Sequence, residues 1–158
     1  MAGSSSSDVI DVKVVGFPLV PDDFHLQHVG KTAQGNGFWI TPQLSVEDGD
    51  TRDFVAAYLF DKLGNLISCE VMDLGMRRKS AGISTDTIIQ GLRRKIDANE
   101  NGEIWVKPFS TTFYGHTFGL IVRETDELEA GSGETVVDAM PGSTLMFHGP
   151  WSHCNYDS

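Results

Sequence analysis

Ser84-Thr-Asp-Thr-Ile-Ile-Gln-Gly-Leu-Arg-Arg-Lys-Ile-Asp97, then Ala98-Asn-Glu-Asn-Gly102, then Glu103-Ile-Trp-Val-Lys-Pro-Phe109, is the stretch whose reading decides the fold. Ile88, Ile89, Leu92 and Ile96 recur at helical spacing and form one apolar stripe, so an amphipathic helix is predicted over 84–97. Arg93-Arg-Lys95 stands near its end, where cations suit the helix dipole. Asn99 to Gly102 supplies turn chemistry. Beyond it the apolar period shortens to two, which predicts strands over 103–109 and 116–123.

Working outward, Phe54–Phe60 is apolar on both faces and reads as a central strand covered on each side. Asp61-Lys-Leu-Gly-Asn65 is hairpin chemistry, and 66–74 returns antiparallel with Ile67, Cys69 and Val71 inward. Phe38–Val46 is a further strand, which Pro42 pushes toward a sheet edge. Strands at 135–140 and 144–148 join at Pro141-Gly142, and 9–15 alternates like a half-buried strand. Between 17 and 37 two prolines, two aspartates and a polar run read as a long surface loop. The expected fold class is α+β: mainly antiparallel β, about eight strands in a sandwich or partly open barrel, with one amphipathic helix. Residues 1–8, with four serines, are expected to form a disordered tail, and 9–158 a single globular domain.

Periodicity nominates a core of Val12, Val14, Phe54, Ala56, Tyr58, Phe60, Ile67, Val71, Ile89, Leu92, Ile96, Ile104, Val106, Phe118, Leu120, Val122, Leu145 and Phe147. The formal net charge of −10 argues against a nucleic-acid or anionic-membrane surface. No apolar run reaches membrane-spanning length, and two cysteines make no disulfide framework. With no secretory h-region at the start, the expected setting is cytoplasmic. An unknown protein or a small molecule is the expected partner, with the oligomeric state open.

Three groups of residues carry chemistry. Asp97-Ala-Asn-Glu-Asn-Gly-Glu-Ile104 resembles the first eight residues of an EF-hand calcium loop. The resemblance implies Asp97, Asn99 and Asn101 as metal ligands; the twelfth place, which needs a bidentate glutamate, is Pro108. No cofactor is expected beyond a weakly held divalent cation, and turn chemistry explains the same residues. A second group is His148, His153 and Cys154, soft ligands with His116 as a fourth, and beside them Trp151 as a binding residue. If the last four strands form a meander, Asp97, Asn99, Glu124, Asp126, Glu127 and Glu129 gather near His148, His153 and Cys154, with His116 at the far end. Such an end would bind a cation or a basic partner. Third, Trp105, Phe109, Phe113, Tyr114 and Phe118 would either line a cavity or fill the core.

Gly30-Lys31-Thr32 lacks the earlier glycine of a phosphate loop, because His25 stands there, and Lys31 reads as a solvated lysine. No complete catalytic motif is present. The expectation is therefore a non-enzymatic binding or interaction module of unknown ligand. The alternatives are a metal-dependent enzyme using the His/Cys-containing C-terminal segment and a small-molecule carrier with an aromatic-lined pocket.

Overall fold

The computed structural model describes residues 14–48, 50–76, 84–125, 134–142 and 145–158. Among them are twelve strands and one helix. In chain order the strands are β1 (Phe17–Leu19), β2 (Val29–Thr32), β3 (Gly37–Asp48), β4 (Asp50–Phe60), β5 (Leu66–Met76), β6 (Ala98–Asn101), β7 (Ile104–Val106), β8 (Phe109–Phe113), β9 (His116–Glu124), β10 (Thr135–Met140), β11 (Met146–His148) and β12 (Asn155–Asp157). The helix, α1 (Thr85–Lys95), lies between β5 and β6. Every strand pairing is antiparallel, in an open five-stranded sheet β5-β4-β3-β2-β6, a second open sheet β12-β11-β10-β9-β8 and a small β1-β7 ribbon.

The alternation of β4 places this architecture. Phe54, Ala56, Tyr58 and Phe60 face the second sheet, while Val55 and Ala57 face the helix. Aromatic rings interlock between the sheets: Phe54 with Phe118 at 5.3 Å between centroids, and Tyr58 with Phe109 at 4.8 Å. Burying each such side chain contributes about 1.5–3 kcal/mol. On the other face Ile89 and Leu92 pack on Phe38, Ile40, Val55 and Ala57, with Ile88 and Ile96 at the margin. The layers are thus helix, sheet and sheet, an α+β sandwich with open edges.

Ser84 starts the helix by accepting from the Thr87 N–H at 3.2 Å. Asp97, in the left-handed region at φ 56°, turns the chain out of it into β6. Arg93 and Lys95 do not form a free basic patch. The Arg93 guanidinium lies 4.9 Å over the Phe38 ring, and Lys95 pairs with Glu70 at 2.8 Å.

Several expectations need correction. The segment 17–37 is not all loop, because β1 and β2 lie within it and Phe17, Leu19, Leu26 and Val29 are wholly buried. β3 lies between β2 and β4 in the sheet order, but β2 pairs only with residues 37–39; among the described residues the stretch around Pro42 pairs with β4 alone, where the register shifts from Thr41 to Leu44. The predicted strand 103–109 is two strands. β7 pairs with β1, and β8 starts a hairpin with β9 through Tyr114-Gly115, both at positive φ. Ile67 is 51% exposed rather than inward, since the register slips between Leu59 and Phe60 and skips it. Val122 is 44% exposed because β8 reaches only as far as Leu120, leaving that part of β9 on an edge. The expected tail 1–8, Val12 and the run Arg77–Lys79 lie outside the described residues.

Candidate functional site

The residues nominated for the calcium-type loop sit in strand and turn. Gly30, Lys31 and Thr32 of β2 pair with Asn101, Glu100 and Ala98, so Asn99 is the extra residue of a bulge. Asp97 accepts from Gln34 Nε2 at 3.3 Å. Asn101 accepts from Arg93 Nη1 at 3.2 Å and donates to the Gln27 carbonyl at 3.2 Å. Asp97 and Asn101 are thus held apart by different neighbours.

Glu124 and His148 do share one end of the second sheet, since Thr135 pairs with Glu124 and Val136 with His148. His116 pairs with Phe113 and lies at the other end. The side chains of the shared end turn to local partners. Glu124 accepts from the Thr135 hydroxyl, His148 Nδ1 lies 3.0 Å from the Gly149 carbonyl, and His153 Nδ1 lies 3.0 Å from Ser152 Oγ. Asp126, Glu127 and Glu129 lie outside the described residues. Among the described residues no three His, Cys, Asp or Glu side chains come together as a metal site. Trp151 and Cys154 are half-buried against the core, Trp151 at 5.5 Å from the Phe17 ring. Burial pushes the Cys154 thiol up; a backbone hydrogen bond with Val20 opposes this, and the charges of Asp22 and Glu103 add to it. The Cys69 thiol is pushed up to about 12 by burial and by Glu70. Neither is a ready thiolate at neutral pH.

Of the five aromatics, Phe118 is wholly buried and Phe109 lies against Tyr58 and Phe60, so these rings pack on one another. Tyr114 caps the sandwich from outside, stacked on Phe54 at 5.8 Å. Trp105, like the 57% exposed Tyr114, is not enclosed. In β7 it points outward between the buried Ile104 and Val106, and it remains 43% exposed. Its indole is nonetheless fixed against bare backbone. A Cβ on Gly16 would stand 2.6 Å from its Nε1, and one on Gly64 would stand 2.7 Å from its Cδ1. No other residue fits at either place without moving the ring, and Gly64 also has φ +93°.

Beside this ring is a hollow of about 180 Å³ bounded by Lys31, Asp61, Lys62, Glu103 and Trp105. β2 supplies Lys31, the β4–β5 turn supplies Asp61 and Lys62, and β7 with its approach supplies the rest. Asp61 shapes the turn by accepting from the Leu63 and Asn65 N–H groups, each at 2.9 Å. The Asn65 bond leads in holding its carboxyl below the ordinary range, so it is ionised at neutral pH. Lys31 and Lys62 have no carboxylate within ion-pair distance among the described residues, and Lys62 Cε lies 3.5 Å from where a Gly35 Cβ would be.

A wider groove of about 590 Å³ lies at the far end of the sandwich, lined by Ser45, Glu47, His116 and Met140. Thr117 also lines it, and the Ser45 hydroxyl is used internally, donating to the buried Asp53 at 2.8 Å.

Sequence alone nominates neither Lys62 nor Glu103, reads Lys31 as a solvated lysine, and leaves Trp105 among five aromatics that either line a cavity or fill the core. One signal was present: Trp105 alternates with Ile104 and Val106 and therefore had to face outward. Comparison of the chain with known protein families, curated proteins and solved structures returns no match.

Proposed function

We propose that the protein is a non-enzymatic binding module that takes a small ligand in the hollow beside Trp105. The observation that carries this reading is an indole left 43% exposed while its ring lies directly against the backbone of Gly16 and Gly64. A rigid aromatic surface presented to solvent loses little conformational freedom when a ligand covers it. Around it stand side chains that the fold does not use: Lys31 and Lys62 have no ion-pair partner among the described residues. Convergent polar groups beside an aromatic wall are the usual make-up of a small-molecule site.

The test is a fragment screen read by two-dimensional amide NMR. Hits should concentrate on the Trp105 indole N–H and on residues 61–65 and 103–105. Hits that concentrate instead on the groove around His116 and Met140, or scatter without preference, would remove this reading.

A further inference from the structure

We infer that the ligand of the Trp105 hollow is a single neutral sugar ring, an inference that rests on the binding reading above. Charge limits the ligand first. Lys31 and Lys62 bring two positive charges to the hollow, and Asp61 and Glu103 bring two negative ones, so the lining is balanced within a chain of net charge −10. A phosphate or carboxylate ligand would meet Asp61 and Glu103, and an organic cation would meet the two lysines. Either like-charge approach carries an electrostatic penalty.

Donor and acceptor chemistry narrows the class further. Ammonium groups only donate and ionised carboxylates only accept, so the hollow offers both kinds of partner at close range. A matching uncharged ligand carries groups able to do both, and a hydroxyl does so from a single atom in a small volume. Trp105, 43% exposed and among the residues lining the hollow, adds an aromatic surface that favours a weakly polar C–H-bearing partner. A pyranose meets both demands, with hydroxyls around its rim and C–H groups over one face. At about 180 Å³ the hollow is smaller than the roughly 300–1,000 Å³ of sites for drug-sized ligands, which restricts it to one ring. That ring is supplied either as a free monosaccharide or as the terminal residue of a glycan.

The experiment titrates the full-length protein with the methyl glycosides of glucose, galactose, mannose and N-acetylglucosamine, and separately with phenyl phosphate. The indole N–H of Trp105 and the amides of 61–65 and 103–105 are followed by NMR. At least one glycoside is expected to shift these signals together, with a Kd on the order of 1 mM, as suits one ring and few contacts. Trp105→Ala should weaken that binding at least tenfold. Lys62→Ala and Glu103→Gln alter exposed side chains and keep the fold, and each should weaken it severalfold. An oligosaccharide carrying the preferred sugar at its non-reducing end should bind at least tenfold tighter than the glycoside if a glycan is the source, and equally if the free sugar is. Phenyl phosphate binding with no glycoside response would overturn the sugar assignment and leave the binding reading standing. No response to either, together with no fragment hits at Trp105, would overturn both.

Discussion

The Tyr156 hydroxyl donates to the Asp22 carboxylate, tying the C-terminal strand β12 to the segment between β1 and β2. The same carboxylate accepts from the N–H groups of Phe24 and Leu26, each at 2.9 Å, so one aspartate organises a turn and anchors a tail. Phe147 packs on both sides of this clasp, at 5.0 Å from Phe17 and 5.7 Å from Tyr156. Removing the hydroxyl in Tyr156→Phe keeps the ring contact and loses the bond. A loss of about 0.5–1.5 kcal/mol in denaturant unfolding is expected.

The same clasp sets a pH dependence. Burial raises the Asp22 carboxyl, but the bonds from Tyr156, Phe24 and Leu26 together with His25 outweigh it and hold the group below its ordinary value. Stability from a depressed carboxyl is present above its unfolded pKa of about 4 and is lost as pH falls through the folded value. Tyr156 is pushed up to about 12, first by burial and then by its bond to Asp22. That contribution is present below about pH 10 and disappears as pH rises toward the folded value. The stability difference between wild type and Tyr156→Phe should therefore be flat from about pH 5 to 9 and shrink on both sides. A difference that stays constant from pH 3 to 11 would show that the hydroxyl's contribution does not depend on the ionisation of Asp22 or Tyr156.

Leu92 and Ile67 give a second contrast. Leu92 is 4% exposed under the sheet, while Ile67 is 51% exposed where the β4–β5 register slips. Leu92→Ala should destabilise by about 2–5 kcal/mol, and Ile67→Ala by less than about 0.5 kcal/mol. Chemical denaturation of both variants checks this, and equal losses would contradict the packing described here.

Those two residues also mark how far the sequence could be read. Leu92 was legible because a helical stripe survives any choice of partner: Ile88, Ile89, Leu92 and Ile96 must face something. The double-sided burial of Phe54–Phe60 was legible for the same reason. Ile67 was not, because strand parity holds only until a bulge, and nothing local in Leu66-Ile-Ser68 announces one. β1, β2 and β12, of three or four residues each, are too short to show a period and owe their pairing to distant strands. The hollow beside Trp105 was hidden for a related reason. Lys31, Lys62 and Trp105 are far apart in sequence and meet through the β2–β3 and β3–β4 pairings and the bond from the Lys107 N–H to the Gly64 carbonyl.

Gly119 is a backbone test of the sandwich. It lies in β9 at φ +144°, and a Cβ there would stand 2.2 Å from the Phe109 carbonyl oxygen. Gly119→Ala combines a disfavoured dihedral with a clash against the neighbouring strand. A loss above about 1 kcal/mol is expected. Gly91→Ala, in the helix with open space around it, should be neutral or stabilising by up to about 1 kcal/mol. Thermal melts of the two variants shifting in the same direction would contradict this account.

The pair Arg123–Asp138 tests an ion pair in the second sheet. Asp138 is 6% exposed on β10 and accepts from Arg123 Nε of β9, while its Oδ1 is buried without a partner. Arg123 also donates to Met146 Sδ at 3.7 Å. Arg123→Met leaves a buried carboxylate without that counter-charge, a change that costs about 3–5 kcal/mol at a fully enclosed pair. The arginine side chain is 36% exposed, so water relieves part of this, and about 2 kcal/mol is expected. Asp138 is flanked across the strands by Ile121 and Met146, which suit an apolar replacement. The double variant Arg123→Met with Asp138→Leu should therefore recover most of the single variant's loss, because the stranded charge is gone. A double-mutant cycle measures the coupling directly. Two single losses that simply add would mean that the pair is not interacting in the folded protein.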